Sequence, residues 1–295
     1  MTAVLPPTEK EREQKEKEQE KEKLKGAELE AYEKKKVEEE ESLNASVTYE
    51  VVRREGEKEL ERSPSALAWS GLAGGLAMGF SFVAEGLLRS HLPDAPWRPL
   101  ITKLGYPVGF LMISLGSQHL FTENTLTPVV PYLVEKTRKK LTTLSTLWAV
   151  TFIANIVGAL LFATAIALTG IFEPDVKQAF TDIARETLRP DFITILLRGI
   201  LAGWLIASMV WMLPAAKSGQ AAVIIIMTYL VGIGTFSHII VGSHEVLYLV
   251  MSGQATIIDY LIGFMIPALL GNIIGGLALV AGLNHAQVAS SGKKG

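Results

Sequence analysis

Residues 105–134 read GYPVGFLMISLGSQHLFTENTLTPVVPYLV, and residues 221–251 read AAVIIIMTYLVGIGTFSHIIVGSHEVLYLVM. Both stretches are apolar at their ends and polar in the middle. The first carries Gln118, His119, Thr122, Glu123 and Asn124 there, the second Ser237, His238, Ser243, His244 and Glu245. Each is about 30 residues long, whereas one straight helical crossing of a bilayer takes about 20. A helix interrupted inside a membrane frees N–H and C=O groups that lipid cannot satisfy, so the break survives only where it lines a cavity or is packed in protein. The two stretches therefore predict two discontinuous membrane helices.

Four plainer apolar runs surround them. Ala66–Leu88 carries one charge, Glu85; Leu147–Phe172 carries none; Phe192–Leu213 carries Arg198; Ile257–Leu283 carries Asp259. Six crossings in all predict an all-α, multi-pass membrane protein with both termini on one side. Lys136, Arg138, Lys139 and Lys140 in one short loop, Lys217 in another, and Arg53, Arg54, Lys58 and Arg62 before the first run make that side the basic one. Basic loops stay inside, which puts both termini in the cytoplasm of a plasma-membrane protein.

The charge is unevenly spread. Residues 1–65 hold 14 of the 28 Lys and Arg and 19 of the 30 Asp and Glu. The remainder is about 11% charged, against roughly 25% in a soluble domain. Residues 9–41 (EKEREQKEKEQEKEKLKGAELEAYEKKKVEEEE) lack a heptad seam and read as a disordered or solvated helical tail. The expected division is a tail at 1–62, a six-crossing body at 63–288 and a short tail at 289–295. The first 60 residues hold no apolar run, so no cleavable signal peptide is expected. Absent cysteines exclude disulfides, thiolate catalysis and Cys-ligated metal. The net charge of −2 gives no basis for nucleic acid as a partner.

The two halves repeat. Gly71, Gly75 and Gly79 recur every fourth residue in the first run, and Gly199, Gly203 and Ala207 do so in the fourth. NIVGAL (155–160) in the third run matches NIIGGL (272–277) in the sixth. Thr122 precedes Asn155 by 33 residues and His238 precedes Asn272 by 34, which pairs Thr122 with His238. Three crossings per copy is an odd number, so the copies are inverted in the bilayer, an inverted 3+3 repeat with its site at the two breaks. Asn155, Asn272, Gly75 and Gly203 read as helix-packing positions.

Ionisable groups inside a membrane are costly and usually functional, and His238 is the leading candidate. His119 and His244 serve equally well as hydrogen-bonding or packing groups, and Glu123 and Glu245 as partners of basic groups or freed backbone N–H. His238, His244 and Glu245 do not form a metal set: six residues on one helix turn by about 600°, and no further His cluster completes the ligands. No metal, no cofactor and no enzyme activity are expected.

LFTENT (120–125) and TFSH (235–238), together with NIVGAL and NIIGGL, resemble the formate/nitrite transporter family over roughly residues 56–288. GEKELERS (56–63), MVWMLPAA (209–216) and SHIIVGSHEVLYLV (237–250) look closest to one branch of it. The resemblance implies an aquaporin-like architecture of six-helix protomers, each with its own pore, assembled as a homopentamer. It implies passage of small monovalent anions such as formate or nitrite, or of their neutral acids, with a proton and the lipid bilayer as the other partners. By position it implies that Thr122 is the threonine of the first broken-helix loop, Phe121 its aromatic gate and His238 the histidine of the second break. Phe110 and Tyr106 then fall near one apolar constriction, Val231 and Ile206 near the other. A proton passed between His238 and an arriving anion would let the neutral acid cross those rings. Three positions depart from the common pattern. Ser237 stands where many members have a glutamate, Gly203 where many have a pore asparagine, and Glu123 adds an acid to the first loop. The competing readings are a pore for neutral solutes such as water, glycerol or ammonia, a membrane enzyme, and a scaffold that recruits partners through its tail.

Overall fold

The computed structural model describes residues 45–291, and every described element is helical. In order these are α1 Ala45–Leu60, α2 Pro64–His91, α3 Arg98–Thr102, α4 Pro107–Leu115, α5 Val129–Val134 and α6 Arg138–Leu168. There follow α7 Pro174–Leu188, α8 Phe192–Ala216, α9 Gln220–Ile233, α10 Ile239–Met251, α11 Ile266–Ile273 and α12 Leu283–Ser291. Wider, π-type turns at Asp259–Met265 and Ile274–Gly282 flank α11. Four described segments are long and apolar enough to cross a membrane: Pro64–His91, Arg138–Leu168, Phe192–Ile233 and Asp259–Leu277.

Local signals start these helices. Ser63 Oγ accepts from Ala66 N at 3.3 Å with Pro64 behind it, and Thr137 and Asp191 do the same for α6 and α8. Each side-chain cap satisfies a donor that the first turn leaves free. The helices then pack through small residues. A Cβ at Gly75 would stand 2.5 Å from the Asn155 carbonyl oxygen, and one at Gly203 2.3 Å from that of Asn272. Only glycine admits the backbones of α2 and α6, and of α8 and α11, to that distance.

The stretch 105–134 contains α4, then thirteen non-α residues, then α5; the stretch 221–251 contains α9, then Gly234–His238, then α10. α4 and α9 end alike. Ser117 and Thr235 take left-handed backbone angles, φ 53° and 50°. Gln118 N donates to Ile113 O at 3.0 Å, and Phe236 N to Val231 O at 3.1 Å, the six-residue closure of a Schellman turn.

Two buried asparagines then brace the chain beyond each turn. Asn155 Oδ1 accepts from Phe121 N at 2.8 Å, and its Nδ2 donates to His119 O at 3.0 Å and Gly71 O at 2.7 Å. Asn272 Oδ1 accepts from Ile239 N at 2.9 Å, and its Nδ2 donates to Ser237 O at 2.8 Å and Gly199 O at 2.9 Å. These bonds fix the register of the repeat. Ser117 matches Thr235, His119 matches Ser237 and Phe121 matches Ile239. His238 therefore matches Leu120, not Thr122 as the spacing to the asparagines suggests. The discrepancy arises because Asn155 lies 34 residues from its backbone partner Phe121, and Asn272 only 33 from Ile239.

Two further elements differ from the sequence reading. Residues 173–191, the segment between the third and fourth apolar runs, contain α7, whose Val176, Ala179, Phe180, Ile183 and Ala184 are buried. Phe180 packs against Phe82, Phe172 and Tyr248 at centroid distances of 4.9, 5.2 and 5.7 Å. The helical period of that apolar stripe is present in the sequence, diluted by charges on the opposite face. Residues 45–60, assigned to a disordered or solvated tail, form α1 against the body. Tyr49 and Val52 bury themselves with Val129, Val130 and Ala207, and Tyr49 Oη bonds His285 Nδ1 at 2.6 Å. The expected tail at 1–44 and residues 292–295 lie outside the described residues.

Candidate functional site

His238 is the residue before α10, and its ring does a capping group's work. Nδ1 accepts from Val241 N at 3.2 Å. That leaves Nε2 as the protonated nitrogen of a neutral ring, and it lies 2.8 Å from Thr122 Oγ1. One contact thus joins the two interruptions, from residues 116 apart in sequence. Both side chains are buried. Thr122 accepts from the imidazole and keeps its own O–H free to donate.

Apolar rings enclose the pair. Phe110 stands edge-on to His238 at 5.1 Å, and Tyr106 stacks on Phe110 at 5.6 Å. Val231 and Ile206 are fully buried. Phe121 packs against Trp148 and Phe152 at 6.0 and 5.1 Å.

Cavities open at both ends of this constriction. A narrow one of about 50 Å³ is lined by Lys103, Tyr106, Val231, Ser237, His238 and Glu245, among others. A wide one of about 500 Å³ is lined by Glu59, Arg62, Ser114, His119, Glu123 and Ile224, among others. α4 touches the wide cavity from its C-terminal end, while Tyr106, just before its start, lines the narrow one. α9 meets the wide cavity through Gln220 and Ile224 and the narrow one through Val231 and Gly232. The cavities therefore lie at opposite ends of both helices. His238 belongs to the narrow one, and neither cavity is lined by Phe110, Phe121, Thr122 or Ile206.

The surrounding polar groups are paired in ways that the sequence left open. Beside the narrow cavity, Lys103 Nζ meets the buried Glu85 Oε2 at 2.5 Å, and Arg89 meets Glu186 at 2.9 Å. Glu245 accepts from Thr187 Oγ1. In the wide cavity, Glu123 Oε1 accepts from Ser114 Oγ at 2.7 Å, and His119 contacts Glu59 of α1 and Ser70 Oγ. His244 lies away from both cavities, its ring nitrogens 2.8 Å from Ile240 O and Gly75 O. The sequence reading missed Lys103, Thr187 and Ser114 at the cavities, and it did not assign Glu245 to the pathway. One signal was available for Glu245: it lies seven residues after His238, two helical turns on the same face. Among the described residues no group of His, Asp and Glu is arranged to hold a metal.

A family model described as formate/nitrite transporter matches residues 46–286. The inner membrane protein YfdC of Escherichia coli strain K12 is 40% identical over 88% of this chain and 86% of its own. The formate channel FocA of Haemophilus influenzae is 23% identical over 70% of this chain and 81% of its own. Among solved structures, a pentameric formate channel with formate bound superposes with a TM-score of 0.67 at 18% identity, over 77% of this chain and 98% of that one. An FNT family ion channel gives 0.71 at 14% identity, over 81% and 98%.

Proposed function

The chain belongs to the formate/nitrite transporter family, and from that premise we propose that it is a pore for small monovalent weak-acid anions, formate or nitrite in class, carried with a proton. Its relatives are transporters and channels rather than enzymes, and it is an integral membrane protein. In this reading the six crossings form an inverted 3+3 repeat with both termini cytoplasmic, so the wide cavity, roofed by α1, faces the cytoplasm. Five protomers assemble, each with its own pore. The faces carrying Ile153, Leu161, Leu201 and Trp204, all exposed in the single chain, then meet neighbours or lipid.

The observation that carries the reading is the buried His238–Thr122 contact between two cavities. Thr122 offers an O–H to an anion at the constriction. The helix N-terminus behind His238 adds partial positive charge at the same depth. Phe110, Tyr106, Val231 and Ile206 form the apolar walls that favour the neutral acid over the anion. Phe121 braces the first break from the α6 side. Ser237 gives its carbonyl to Asn272, and it places no charged side chain next to His238. Proton exchange at His238 itself requires Nδ1 to release Val241 N–H, so protonation and fraying of the first turn of α10 are coupled. The neutral ring also favours a second reading, a pore for uncharged solutes.

Uptake into sealed proteoliposomes separates the two. Formate, nitrite and acetate entry that acid accelerates supports the first. Glycerol entry with no acid dependence, and no entry of the anions, overturns it.

A further inference from the structure

The proton has to be held somewhere before an anion takes it, and the neutral, capping form of His238 leaves that question to other groups. Glu245 lines the same cavity as His238 and is buried. It lies two turns further along α10 on the same face, about 10 Å along the axis. Among the described residues its side chain is hydrogen-bonded by the neutral hydroxyl of Thr187. Two of the nearby cations are already paired with other carboxylates, Lys103 with Glu85 and Arg89 with Glu186. The other ionisable groups lining that cavity with it are Arg198 of α8, Tyr106 ahead of α4, and His238 at the start of its own helix, while His244 bonds Ile240 O and Gly75 O instead. The wide cavity has a counterpart. Glu123 takes the hydroxyl of Ser114. The groups around it are His119, engaged by Glu59, and Glu55, Lys58 and Arg62 from α1 and its end. Among the described residues neither Glu245 nor Glu123 has a cation within ion-pair distance. A lone carboxylate is costly to bury, and a carboxylic acid bonded to a hydroxyl is much less so.

We propose that Glu245 and Glu123 are a matched pair of proton-holding carboxyls, one in each cavity, that load and unload a weak acid on either side of the His238–Thr122 contact. The proposal rests on the pore reading above and names the groups that carry its proton. An anion entering one cavity takes the proton of that carboxyl: the O–H bond on the glutamic acid breaks, one forms on the substrate, and a glutamate remains. The neutral acid crosses between Phe110, His238 and Thr122. In the other cavity the second carboxyl has already given its proton to the water there; the acid protonates that glutamate and leaves as the anion. Water in the first cavity reprotonates the first carboxylate. Nothing is oxidised or reduced, and one anion and one proton move together in either direction.

The test uses the purified full chain in sealed proteoliposomes, with formate and acetate as probes and acidity as the variable. Glu245→Gln is expected to lower flux by about tenfold or more, within reach of an ordinary proton-transfer contribution, and to flatten its acid dependence. Glu123→Gln is expected to do the same, and Glu245→Asp to restore part of both. Infrared spectra of the unmodified protein are expected to show the C=O stretch of a protonated carboxyl that Glu245→Gln removes. The spectrum reads the proton directly, so the proposal stays testable even if a variant assembles poorly. Unmodified protein that conducts, with both Gln variants keeping its flux and acid profile, overturns the proposal and leaves the pore reading standing. So does a spectrum without that band. Unmodified protein that passes neither probe overturns the pore reading itself.

Discussion

The two interruptions, residues 116–128 and 234–238, share a backbone plan and differ in their side chains. Both open with a left-handed residue in a Schellman turn, and both are held by a carboxamide that takes one N–H and gives to two carbonyls. Within that shared frame the first puts Leu120 where the second puts His238. The first runs on for thirteen residues and carries Thr122 and Glu123; the second ends at once in α10. The difference teaches that the repeat supplies a scaffold twice and a buried imidazole once. The side chains break the symmetry while the backbone bonds hold the register.

If the frame is truly common, damaging it in either half should cost the same. Asn272→Ala leaves Ile239 N, Ser237 O and Gly199 O without their partner, and Asn155→Ala leaves Phe121 N, His119 O and Gly71 O. Each is expected to destabilise by about 3 kcal/mol, the scale of a few unsatisfied buried groups, read by thermal unfolding in detergent. A large loss in one half and none in the other would break the equivalence. Gly203→Ala and Gly75→Ala are expected to follow at about 1–3 kcal/mol, from a methyl forced against a backbone oxygen.

The side chains should behave in the opposite way. His238→Ala is expected to lower formate flux by about thirtyfold, because it removes both the Thr122 contact and the ring that caps α10, each worth about 1 kcal/mol. Leu120→Val, at the matching place, is expected to leave flux nearly unchanged. Thr122→Val is expected to cost about fivefold, one hydrogen bond, with the acid response preserved. Equal losses at Leu120 and His238 would mean that the two breaks share the chemistry after all.

The smallest expected effect concerns α1. Hydrogen bonds from Arg53 and then Arg54 hold the Glu50 carboxyl at about 2, below its usual 4.5. A lowered value contributes stability that is complete above the usual range and fades as pH falls from 4.5 toward 2. Docking of α1, followed by the fluorescence of Trp211 beside Tyr49, is expected to be flat from neutral pH down to that window. Glu50→Gln is expected to shift it slightly at neutral pH.

Much of this was readable in residues and spacing. Long uncharged runs report membrane crossings because length and polarity alone decide insertion, and polar groups within an apolar stretch report a backbone that leaves the regular helix. NIVGAL and NIIGGL pointed to the two asparagines. Register was not readable, because it depends on which backbone N–H each carboxamide reaches and a one-residue difference in spacing hid it. The pairing of Lys103 with Glu85 and of Glu245 with Thr187 was hidden for the same reason: these partners come from different helices. α7 and α1 were missed because their buried faces are a few residues wide within highly charged sequence.

The asparagine braces also impose an order on synthesis. Asn155 follows its partners Gly71, His119 and Phe121 directly, so the first brace closes while the second half of the chain is still unmade. Asn272 emerges 117 residues later, roughly 6 to 23 s at ordinary elongation rates. Until then Ile239 N–H and the carbonyls of Gly199 and Ser237 wait without their partner. The ribosome thus delivers a finished half beside an open one, and the final apolar segment closes the second brace. A chain stalled before residue 272 would hold the histidine but not the bond from Ile239 N–H that anchors the start of its helix.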